Sequence, residues 1–350
     1  MTFEGKNIYV ISPEPWGVSR LSKHHYAEEL SKNNRVFFIQ CSKSNGQTMI
    51  NEQLIVIDYK PLKGLRRLPL KIRSLMMRRS WNSIHARTKV KPDVVWSFDN
   101  SMLFNLSESG AQINIAHIVD LNQNFNFEEH ARSADLALGS TPHIVNKLQE
   151  YNKKAHCSGH GCIPRTTHPS KEEQITVSYL GNVLLKYVHR ETIKTLVSSN
   201  PDIAFRMIGP IGTGNLIGST SIGDEAYLQV LKSSKNCTLV GELAQEELNM
   251  ELEKAHMFII AYDLKHRKQV ANPHKTLELL STGKPVLSYI LEAYEGHPYL
   301  LQAADQDAYI TEFQKLVSDR NNLSINNAQI EEARKNTYPE LIKKVEQWLS

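Results

Sequence analysis

A short segment towards the end of the chain combines basic, acidic and helix-forming residues in a pattern that suits a phosphorylated ligand. It reads ANPHKTLELLSTGKPVLSYI and runs from Ala271 to Ile290. We expect a helix to begin at Pro273, because proline favours the first helical position and Asn272 can cap it. The unpaired amides of a helix N-terminus attract phosphate, and Lys275 and His274 would add positive charge.

Glu278 lies about one turn farther along the same helix, among leucines. An ionised carboxylate there can accept hydrogen bonds from two neighbouring hydroxyl groups, such as those of a ribose. Gly283 then ends the helix and Pro285 starts a buried strand. The spacing alone leaves an ordinary amphipathic helix with a solvated glutamate equally open.

Polar residues also follow strand-like runs in the first half of the chain. His117 and Asp120 lie at or just past the end of INIAHIVD, and Asp99 follows VVWSF. Asp120 is a candidate general base for a hydroxyl group, and His117 a candidate contact for a sugar or phosphate. Asp99 is the weaker candidate of the three. A capping aspartate and a structural histidine are the alternative interpretation.

The elements that must position these residues alternate along the chain. Apolar runs of strand length are NIYVIS, RVFFIQ, LIVIDY, VVWSFD, INIAHIVD and LALGS, followed by ITVSYLG, IAFRMIG, CTLVGE, MFIIAYD and PVLSYI. These runs suit strands that are buried on both faces of a parallel sheet. Helical stretches separate them, so the pattern predicts a doubly wound α/β fold, which binds ligands at the carboxyl ends of its strands.

Eleven such runs are more than one sheet usually holds, so the sequence predicts two domains. The best boundary lies in GHGCIPRTTHPSKEEQ, which is rich in glycine, proline and charge. We therefore predict an N-terminal domain over 1–164 and a C-terminal domain over 165–329. The last helix, over 330–350, contains Pro339 and should bend there.

Composition limits the class of protein. The chain has 350 residues, 41% of them hydrophobic, and a formal net charge of +4, which by itself does not argue for nucleic acid. Four scattered cysteines are few for a disulfide framework, and the stretch from Cys157 to Cys162 lacks the paired spacing of a zinc site. No run suggests a signal peptide or a membrane span. We expect a cytoplasmic protein without a metal.

The stretch GPIGTGNLIG, from Gly209 to Gly218, superficially suggests a dinucleotide-binding fingerprint. After Gly212 and Gly214, however, the third glycine comes one place late, because Ile217 occupies its position. A loop at a strand end is the better interpretation, so no dinucleotide cofactor is expected.

The segment from Ala271 to Ile290 resembles the nucleotide-sugar motif of GT-B glycosyltransferases, especially glycosyltransferase family 4 and its relatives. In that family, Pro-x-Lys-x-x-Glu-x-x-x-x-Gly-x-Pro-Val opens the donor-site helix, and the matching residues are Pro273, Lys275, Glu278, Gly283, Pro285 and Val286. The segments VSYLGNVLLKYVHRETI, DIAFRMIGP and NCTLVGELAQEELNMELEKAHMFIIAY resemble further parts of the donor domain, in the family's order. The likeness covers Ile175 to Tyr289 well and the N-terminal half by pattern only.

The resemblance implies two Rossmann-like domains facing a cleft, with a UDP- or GDP-linked sugar in the C-terminal one and Glu278 on the ribose. The donor-binding residues it implies are Gly17, Gly181, Asn182, Lys186, Arg190, Gly209, Gly241, Tyr262, Asn272, Pro273, His274, Lys275, Thr276 and Glu278. Lys186 or Arg190 would neutralise the leaving diphosphate. Metal-independent transfer is expected, with fixed cations and amides stabilising the departing diphosphate in place of a metal ion.

On the acceptor side, the resemblance implies roles for Gly17, His117 and Asp120, with Trp16, His24 and His25 as further residues of the cleft. The helix over 330–350 would pack back on the N-terminal domain. The acceptor would be a glycan or a lipid-linked sugar in bacterial surface polysaccharide or glycolipid synthesis.

One departure from the family is large. Retaining members carry a second glutamate eight positions before the ribose-binding one, and this chain has Val270 there. The sugar must therefore be recognised differently, and the stereochemistry of transfer does not follow from the motif. Two other functions stay open: a sugar-nucleotide 2-epimerase of the same fold, and a module that binds a nucleotide sugar or glycan without turnover.

The most uneven charge lies in PLKGLRRLPLKIRSLMMRRSWNSIHARTKVKP, which contains no acidic residue. Its central basic residues are Arg66, Arg67, Lys71, Arg73, Arg78 and Arg79, and its apolar stripe would be Leu65, Leu68, Ile72, Leu75, Met76 and Trp81. A basic amphipathic helix indicates contact with an anionic membrane surface, where related enzymes meet lipid-linked acceptors. A packed helix with a solvated face and a site for an anionic acceptor are the alternatives. No nucleic-acid motif accompanies the charge.

Overall fold

The structure is a computed structural model that describes residues 2–17, 20–43, 45–62, 64–121, 126–165, 168–211, 222–266, 272–273 and 275–350. The chain forms two compact units. Unit 1 comprises Met1–Gly161 and Tyr338–Ser350, and unit 2 comprises Cys162–Thr337. The chain thus leaves unit 1 within the predicted boundary segment and returns to it at Tyr338.

Unit 1 is built on an eight-stranded sheet with the order β3-β4-β2-β1-β5-β6-β7-β8. Its strands are β1 Asn7–Ser12, β2 Arg35–Cys41, β3 Gln47–Met49, β4 Leu54–Tyr59, β5 Val94–Ser97, β6 Ile113–Ile118, β7 Leu136–Gly139 and β8 Ala155–Cys157. Only β3 runs antiparallel to its neighbour. The strand order reverses between β1 and β5, where a doubly wound sheet offers a binding crevice.

The first four helices of unit 1 are α1 Ser22–Leu30, α2 Leu70–Thr88, α3 Phe127–Arg132 and α4 Pro142–Gln149. They cover the sheet with apolar side chains. Met77, Trp81 and Ile84 of α2 are fully buried and pack in one cluster with Tyr9 and Phe37 of the strands. The Thr141 hydroxyl caps α4 by accepting from the amide of Ile144, as expected for threonine before a Pro-initiated helix.

Unit 2 is built on a six-stranded sheet with the order β11-β10-β9-β12-β13-β14, in which every pair is parallel. The strands are β9 Thr176–Leu180, β10 Ala204–Ile208, β11 Cys237–Gly241, β12 Met257–Ile260, β13 Val286–Tyr289 and β14 Leu301–Ala303. Numbered within the unit, this order is 3-2-1-4-5-6, the arrangement of dinucleotide-binding folds. The order reverses between β9 and β12.

The helices that follow along the chain are α5 Arg190–Ser199, α6 Ile222–Ser233, α7 Gln245–Lys254, α8 Lys275–Leu280, α9 Gln306–Ser318, α10 Asn327–Arg334 and α11 Tyr338–Leu349. Short 3₁₀ turns lie at Leu65–Arg67, Leu106–Glu108, Leu264–His266, Glu292–Tyr294 and Arg320–Leu323. In the portion of the chain that the structure covers, none of the helices combines the length and apolar character needed to cross a membrane.

The final segment differs from its prediction. Instead of one bent helix over 330–350, the structure has α10 in unit 2 and α11 in unit 1. Gln329 fixes α10 to unit 2, because its side-chain amide donates to the carbonyls of Leu280 and Lys284 at 2.9 Å each. Pro339 falls in the first turn of α11, where proline is compatible with a straight helix.

All the predicted apolar runs form strands, and the predicted α/β class is confirmed. Three strands were not predicted, namely β3, β8 and β14. Each has three residues, which is too short for a periodic signal.

Candidate functional site

Three glycines meet at the carboxyl ends of neighbouring strands in unit 2. The amide of Gly181 donates to the carbonyl of Ile208, and that of Gly209 donates to the carbonyl of Gly241, at 2.8 Å in both cases. A Cβ on Gly209 would overlap the Gly181 carbonyl, and its φ is +134°. Only glycine fits that position. The structure therefore brings together three of the residues predicted to bind the donor, beside the reversal of strand order.

The loop after Gly181 is folded by Asn182. Its side-chain oxygen accepts from the amide of Leu184 at 2.9 Å, and its carbonyl accepts from the amide of Leu185 at 3.2 Å. This turn exposes Lys186, whose ammonium lies 4.9 Å from the centre of the Tyr187 ring.

The second candidate cation, Arg190, has a different environment. Its Nη2 forms an ion pair with Asp224 of α6, and its guanidinium lies 5.3 Å from the centre of the Tyr227 ring. Arg190 therefore joins α5 to α6. Of the two cations predicted to face the diphosphate, Lys186 has its charge exposed, and the structure favours it.

Tyr262 lies two residues after the end of β12, on the other side of the strand reversal. Burial raises the pKa of its phenol to about 12, with a smaller lowering by a hydrogen bond to Tyr179. The hydroxyl of Tyr179 in turn donates to the carbonyl of Asn182 at 3.4 Å. The two tyrosines thus link the strand ends that border the crevice.

The helix predicted to begin at Pro273 begins at Lys275 and is short. The carbonyl of Pro273 accepts from the amide of Thr276 at 3.0 Å, so Pro273 and Asn272 lie just before its first turn. Thr276 is fully buried beside the leucines of α8. His274 and the departure at Val270 lie outside the residues that the structure describes.

The Glu278 carboxylate is largely buried and forms an ion pair with Arg165. Arg165 Nη2 lies 3.1 Å from Glu278 Oε2, and the two side chains are 7% and 13% exposed. Burial lowers the pKa of Lys275, while the negative charges of Glu278 and Glu242 oppose that shift. Near the start of α8, Glu278 therefore interacts with two cations, Arg165 and Lys275. Lys275 also interacts with the carboxylate of Glu242.

A small cavity of about 50 Å³ lies at the carboxyl ends of β1, β5 and β6 in unit 1. Its lining residues are Pro13, Glu14, Lys23, Phe98, Asn100, Ile118, Val119 and Asp120. Asp120 is exposed at this edge, whereas Lys23 is buried and paired with Glu14. The predicted base is thus at the binding edge of the unit 1 sheet.

His117 is not at that edge with Asp120, but in the interior of unit 1. It is 2% exposed, and Trp96 Nε1 donates to its Nδ1 while its Nε2 bonds Ser158 Oγ, both at 3.2 Å. Burial lowers the pKa of the imidazole to about 3. The burial and the two partners favour the alternative interpretation of a structural histidine, and a contact between His117 and a sugar or phosphate stays a prediction.

Other candidates of the acceptor side divide between the surface and the interior. Asp99 is buried, and its Oδ1 accepts from the amide of Ser101 at 2.7 Å, which makes it a turn-stabilising residue. His24 is also buried, and its Nδ1 accepts from the amide of Leu21 at 2.9 Å at the start of α1. Gly17 is exposed, and a Cβ added to it would have no neighbour nearer than 3.9 Å.

The basic patch of α2 is partly neutralised. Arg73 pairs with Glu129 at 2.9 Å and Arg78 with Glu108 at 2.8 Å. The side chains of Arg67, Lys71 and Arg79 are exposed, and the side chain of Arg66 lies outside the described atoms.

The predicted apolar stripe of α2 is divided in the same way. Leu65 and Trp81 are buried against the sheet, and Met76 packs partly against the same cluster. The exposed members are Leu68, Ile72 and Leu75, which are 36%, 49% and 50% accessible. The exposed face of α2, taken together with the turn that precedes it, thus combines these apolar side chains with Arg67, Lys71 and Arg79, of which Leu68 and Arg67 lie in the turn.

No family model and no curated protein sequence matches the chain. Its structure, however, is similar to solved glycosyl-transfer proteins over almost its whole length. A sucrose-phosphate synthase from Thermosynechococcus elongatus has a TM-score of 0.67 at 13% identity, over 98% of each chain. The HepE protein of Anabaena in complex with UDP-glucose has a TM-score of 0.69 at 10% identity, over 98% of this chain and 99% of that chain.

The catalytic domain of starch synthase IV from Arabidopsis thaliana, bound to ADP and acarbose, has a TM-score of 0.65 at 10% identity, over 99% of each chain. The chain has the GT-B fold. The fold that the sequence resemblance implied is confirmed, with one doubly wound sheet in each unit of this GT-B chain. Among the described residues, no group of three metal-ligating side chains forms, and the four cysteines are free thiols.

Two residues of the GT-B chain were missed in the sequence. The first is Arg165, the partner of Glu278. The second is Lys284, which is 1% exposed and whose ammonium donates to the carbonyls of Leu252 and Glu253 at 2.9 and 2.8 Å. It therefore caps the end of α7 from the segment that follows α8. The position of Lys284 beside the helix-ending Gly283 could have indicated its role in the sequence. No pattern in the sequence distinguished Arg165.

Proposed function

We propose that this chain is a glycosyltransferase that takes a sugar from a nucleoside-diphosphate sugar bound in unit 2. The observation that carries the proposal is Glu278, a largely buried carboxylate on the segment that leaves the carboxyl end of β12. A ribose would bind Glu278 through its hydroxyls, and the glycine turn at Gly181 and Gly209 would allow a phosphate to approach the backbone. Whether the other predicted donor residues contact the ligand stays a prediction.

UDP-linked donors are the first to consider. HepE was solved with UDP-glucose, and starch synthase IV with ADP, and both share the fold of this chain. ADP is therefore a candidate nucleotide beside the predicted UDP and GDP. The departing diphosphate would be stabilised by Lys186 and Lys275 without a metal ion, because fixed cations perform the same electrostatic task.

In the transfer itself, an acceptor hydroxyl oxygen bonds to the anomeric carbon while the bond from that carbon to the diphosphate oxygen breaks. Asp120 is the proposed base that takes the hydroxyl proton, and the nucleoside diphosphate leaves with its negative charge. We propose a glycan or a lipid-linked sugar of a bacterial surface as the acceptor, because the exposed face of α2 combines apolar and basic side chains. That face would hold the cytoplasmic enzyme at an anionic membrane surface.

The test is thermal stabilisation by UDP, GDP, ADP and their glucose conjugates, measured for the native chain and for Glu278→Gln. A ligand that binds the folded state raises the melting temperature once its concentration exceeds the dissociation constant. We expect at least one nucleotide to stabilise the native chain and to lose that effect in Glu278→Gln. Glu173→Gln, at an exposed glutamate of the same unit, is the matched control. No stabilisation by any nucleotide would contradict the proposal.

Product analysis then separates the transferase from its rivals. A transferase releases the nucleoside diphosphate and forms a glycoside only when an acceptor is present. A 2-epimerase would convert the nucleotide sugar alone, and a binding module would convert nothing.

A further inference from the structure

Arg165 lies at the beginning of unit 2, far in sequence from the helix that it contacts. Its guanidinium pairs with the carboxylate that the proposed function assigns to ribose, at 3.1 Å between Nη2 and Oε2 of Glu278. Both side chains are largely buried. Removing either partner would leave a buried charge uncompensated.

The backbone of Arg165 is tied to the same helix. Its amide donates to Ser281 Oγ at 3.3 Å, and that hydroxyl donates to the carbonyl of Glu278 at 2.7 Å. Arg165 therefore contacts the Glu278 side chain directly and is linked to the Glu278 backbone through the Ser281 hydroxyl. The position of the carboxylate relative to α8 is thereby fixed before any ligand binds.

The rest of the guanidinium is held by α7. Nη1 donates to Asn249 Oδ1, and the Gln245 amide, in the orientation that pairs donor with acceptor, accepts from Nη2 at 3.2 Å. Nε is buried without an acceptor among the residues that the structure describes. The planar guanidinium of Arg165 is thus oriented by α7 and α8 together. A lysine, which has a single ammonium group, could not reproduce this geometry.

The ion pair leaves part of Glu278 available. Oε1 has no hydrogen-bond donor among the described residues, and Oε2 retains a second lone pair beside the one that Arg165 occupies. The carboxylate can therefore still accept from two adjacent hydroxyl groups. The contact from Arg165 Nη2 holds Oε2 in place and so restricts where the two hydroxyl groups can lie.

We propose that Arg165 is a positioning residue that orients Glu278 for the two ribose hydroxyls and so makes the donor site selective for ribonucleotides over 2′-deoxyribonucleotides. The inference rests on the proposed function, which it deepens by assigning the selectivity of the same site. A ligand with one hydroxyl fewer loses one charge-assisted hydrogen bond only if the carboxylate is held in the matching orientation.

The experiment measures dissociation constants of UDP, GDP and ADP and of their 2′-deoxy counterparts by calorimetry. For the nucleotide that binds best, we expect the native chain to prefer the ribose form by roughly tenfold, the value of one such hydrogen bond. In Arg165→Met this preference should fall towards one, and Arg165→Lys should recover only part of it. Asn249→Ala, which removes one support of the guanidinium and leaves Arg165 in place, should lower the preference partially.

A merely structural role predicts a different result. Arg165→Met would then weaken ribose and deoxyribose ligands equally and keep their ratio, which would overturn the inference. If Glu278→Gln abolishes the preference while both Arg165 variants retain it, the donor site stands and only the role of Arg165 fails. If the native chain binds none of the six nucleotides, the proposed function fails and the inference with it. Should Arg165→Met not fold, Arg165→Lys and Asn249→Ala decide the outcome by the same ratio.

Discussion

The indole N–H of Trp96 donates to Nδ1 of His117 at 3.2 Å in the interior of unit 1. Because an indole nitrogen can only donate, Nδ1 of His117 must be unprotonated, and the proton of the neutral ring lies on Nε2 towards Ser158. Protonation would direct an N–H at the indole N–H and would add to the positive charges of His160 and Lys23. The neutral imidazole is therefore part of the folded core.

The stability of unit 1 should consequently fall in acid. The folded pKa of His117, about 3, lies below its unfolded value of 6.5, so the contribution is complete above pH 6.5 and is lost as the pH falls towards 3. We expect this histidine to contribute a slope of about 1.4 kcal/mol per pH unit within that window. His24 and His130, whose pKa values are also lowered by burial, act in the same direction.

Urea unfolding followed by tryptophan fluorescence measures this slope. All four tryptophans of the chain, at positions 16, 81, 96 and 348, belong to unit 1, so the signal reports that unit alone. His117→Gln should show a shallower pH dependence than the native chain. If the free energy of unfolding of His117→Gln depends on pH as steeply as that of the native chain, residues other than His117 cause the acid sensitivity.

Gly209→Ala should destabilise unit 2. The new methyl group would overlap the Gly181 carbonyl, and an L side chain is strained at a φ of +134°. We therefore expect the free energy of unfolding to fall by roughly 2–3 kcal/mol. Gly296→Ala is the matched control, because its φ of +76° is also positive but nothing lies within 4 Å of the added Cβ. In that control the free energy of unfolding should fall by about 1 kcal/mol. Circular dichroism during urea unfolding checks both variants, and equal losses would refute the close approach.

Lys186→Met and Arg190→Met should have opposite effects on binding and stability. Lys186→Met should weaken binding of the nucleoside diphosphate by about tenfold with little change in melting temperature, because the ammonium is exposed and, among the described residues, lies against the Tyr187 ring. Arg190→Met should mainly lower the melting temperature, because it leaves Asp224 without this partner. Calorimetry and thermal unfolding test both, with Lys194→Met as the control, a partly exposed lysine of α5 that pairs with Glu191. A loss of affinity only in Arg190→Met would reverse the assignment.

Asp120→Asn should lower the rate of transfer by about 100-fold to 10,000-fold while the dissociation constant of the nucleotide stays the same, as for loss of a general base. Turnover with acceptor and calorimetry without it are the two measurements. Glu150→Gln removes another exposed carboxylate of unit 1 and should leave both quantities unchanged. Full turnover in Asp120→Asn would remove this residue from the mechanism.

The exposed face of α2 should bind vesicles that contain phosphatidylglycerol and not vesicles of phosphatidylcholine alone. Reversing the charge in Lys71→Glu should weaken sedimentation with the anionic vesicles by about tenfold, since each basic residue near such a surface contributes about 1 kcal/mol. Ile72→Ser should weaken it as well, because its side chain is 49% accessible and free to insert. Lys153→Glu, at an exposed lysine elsewhere in unit 1, should have no effect. Equal binding by all variants would assign α2 a purely structural role.

The sequence was sufficient where the signal is local. In runs such as NIYVIS and MFIIAYD, the side chains on both faces of the strand are apolar. Such strands are typical of a parallel sheet that helices cover on both sides, and the two runs form β1 and β12. The order of the strands was not predicted and is known only from the structure. The spacing of Lys275, Glu278 and Gly283 marked the helix of the candidate donor site.

Tertiary structure decided everything that depends on contacts between distant segments. The partner of Glu278 is Arg165, 113 positions away along the chain, and no periodicity connects the two. The same holds for His117: its position at a strand end suggested the binding edge, but Trp96 and Ser158 enclose it because their strands and loops pack there. On α2, buried Trp81 and exposed Ile72 could not be told apart from the sequence, since both are apolar and only the packing of the helix on the sheet determines which face is covered.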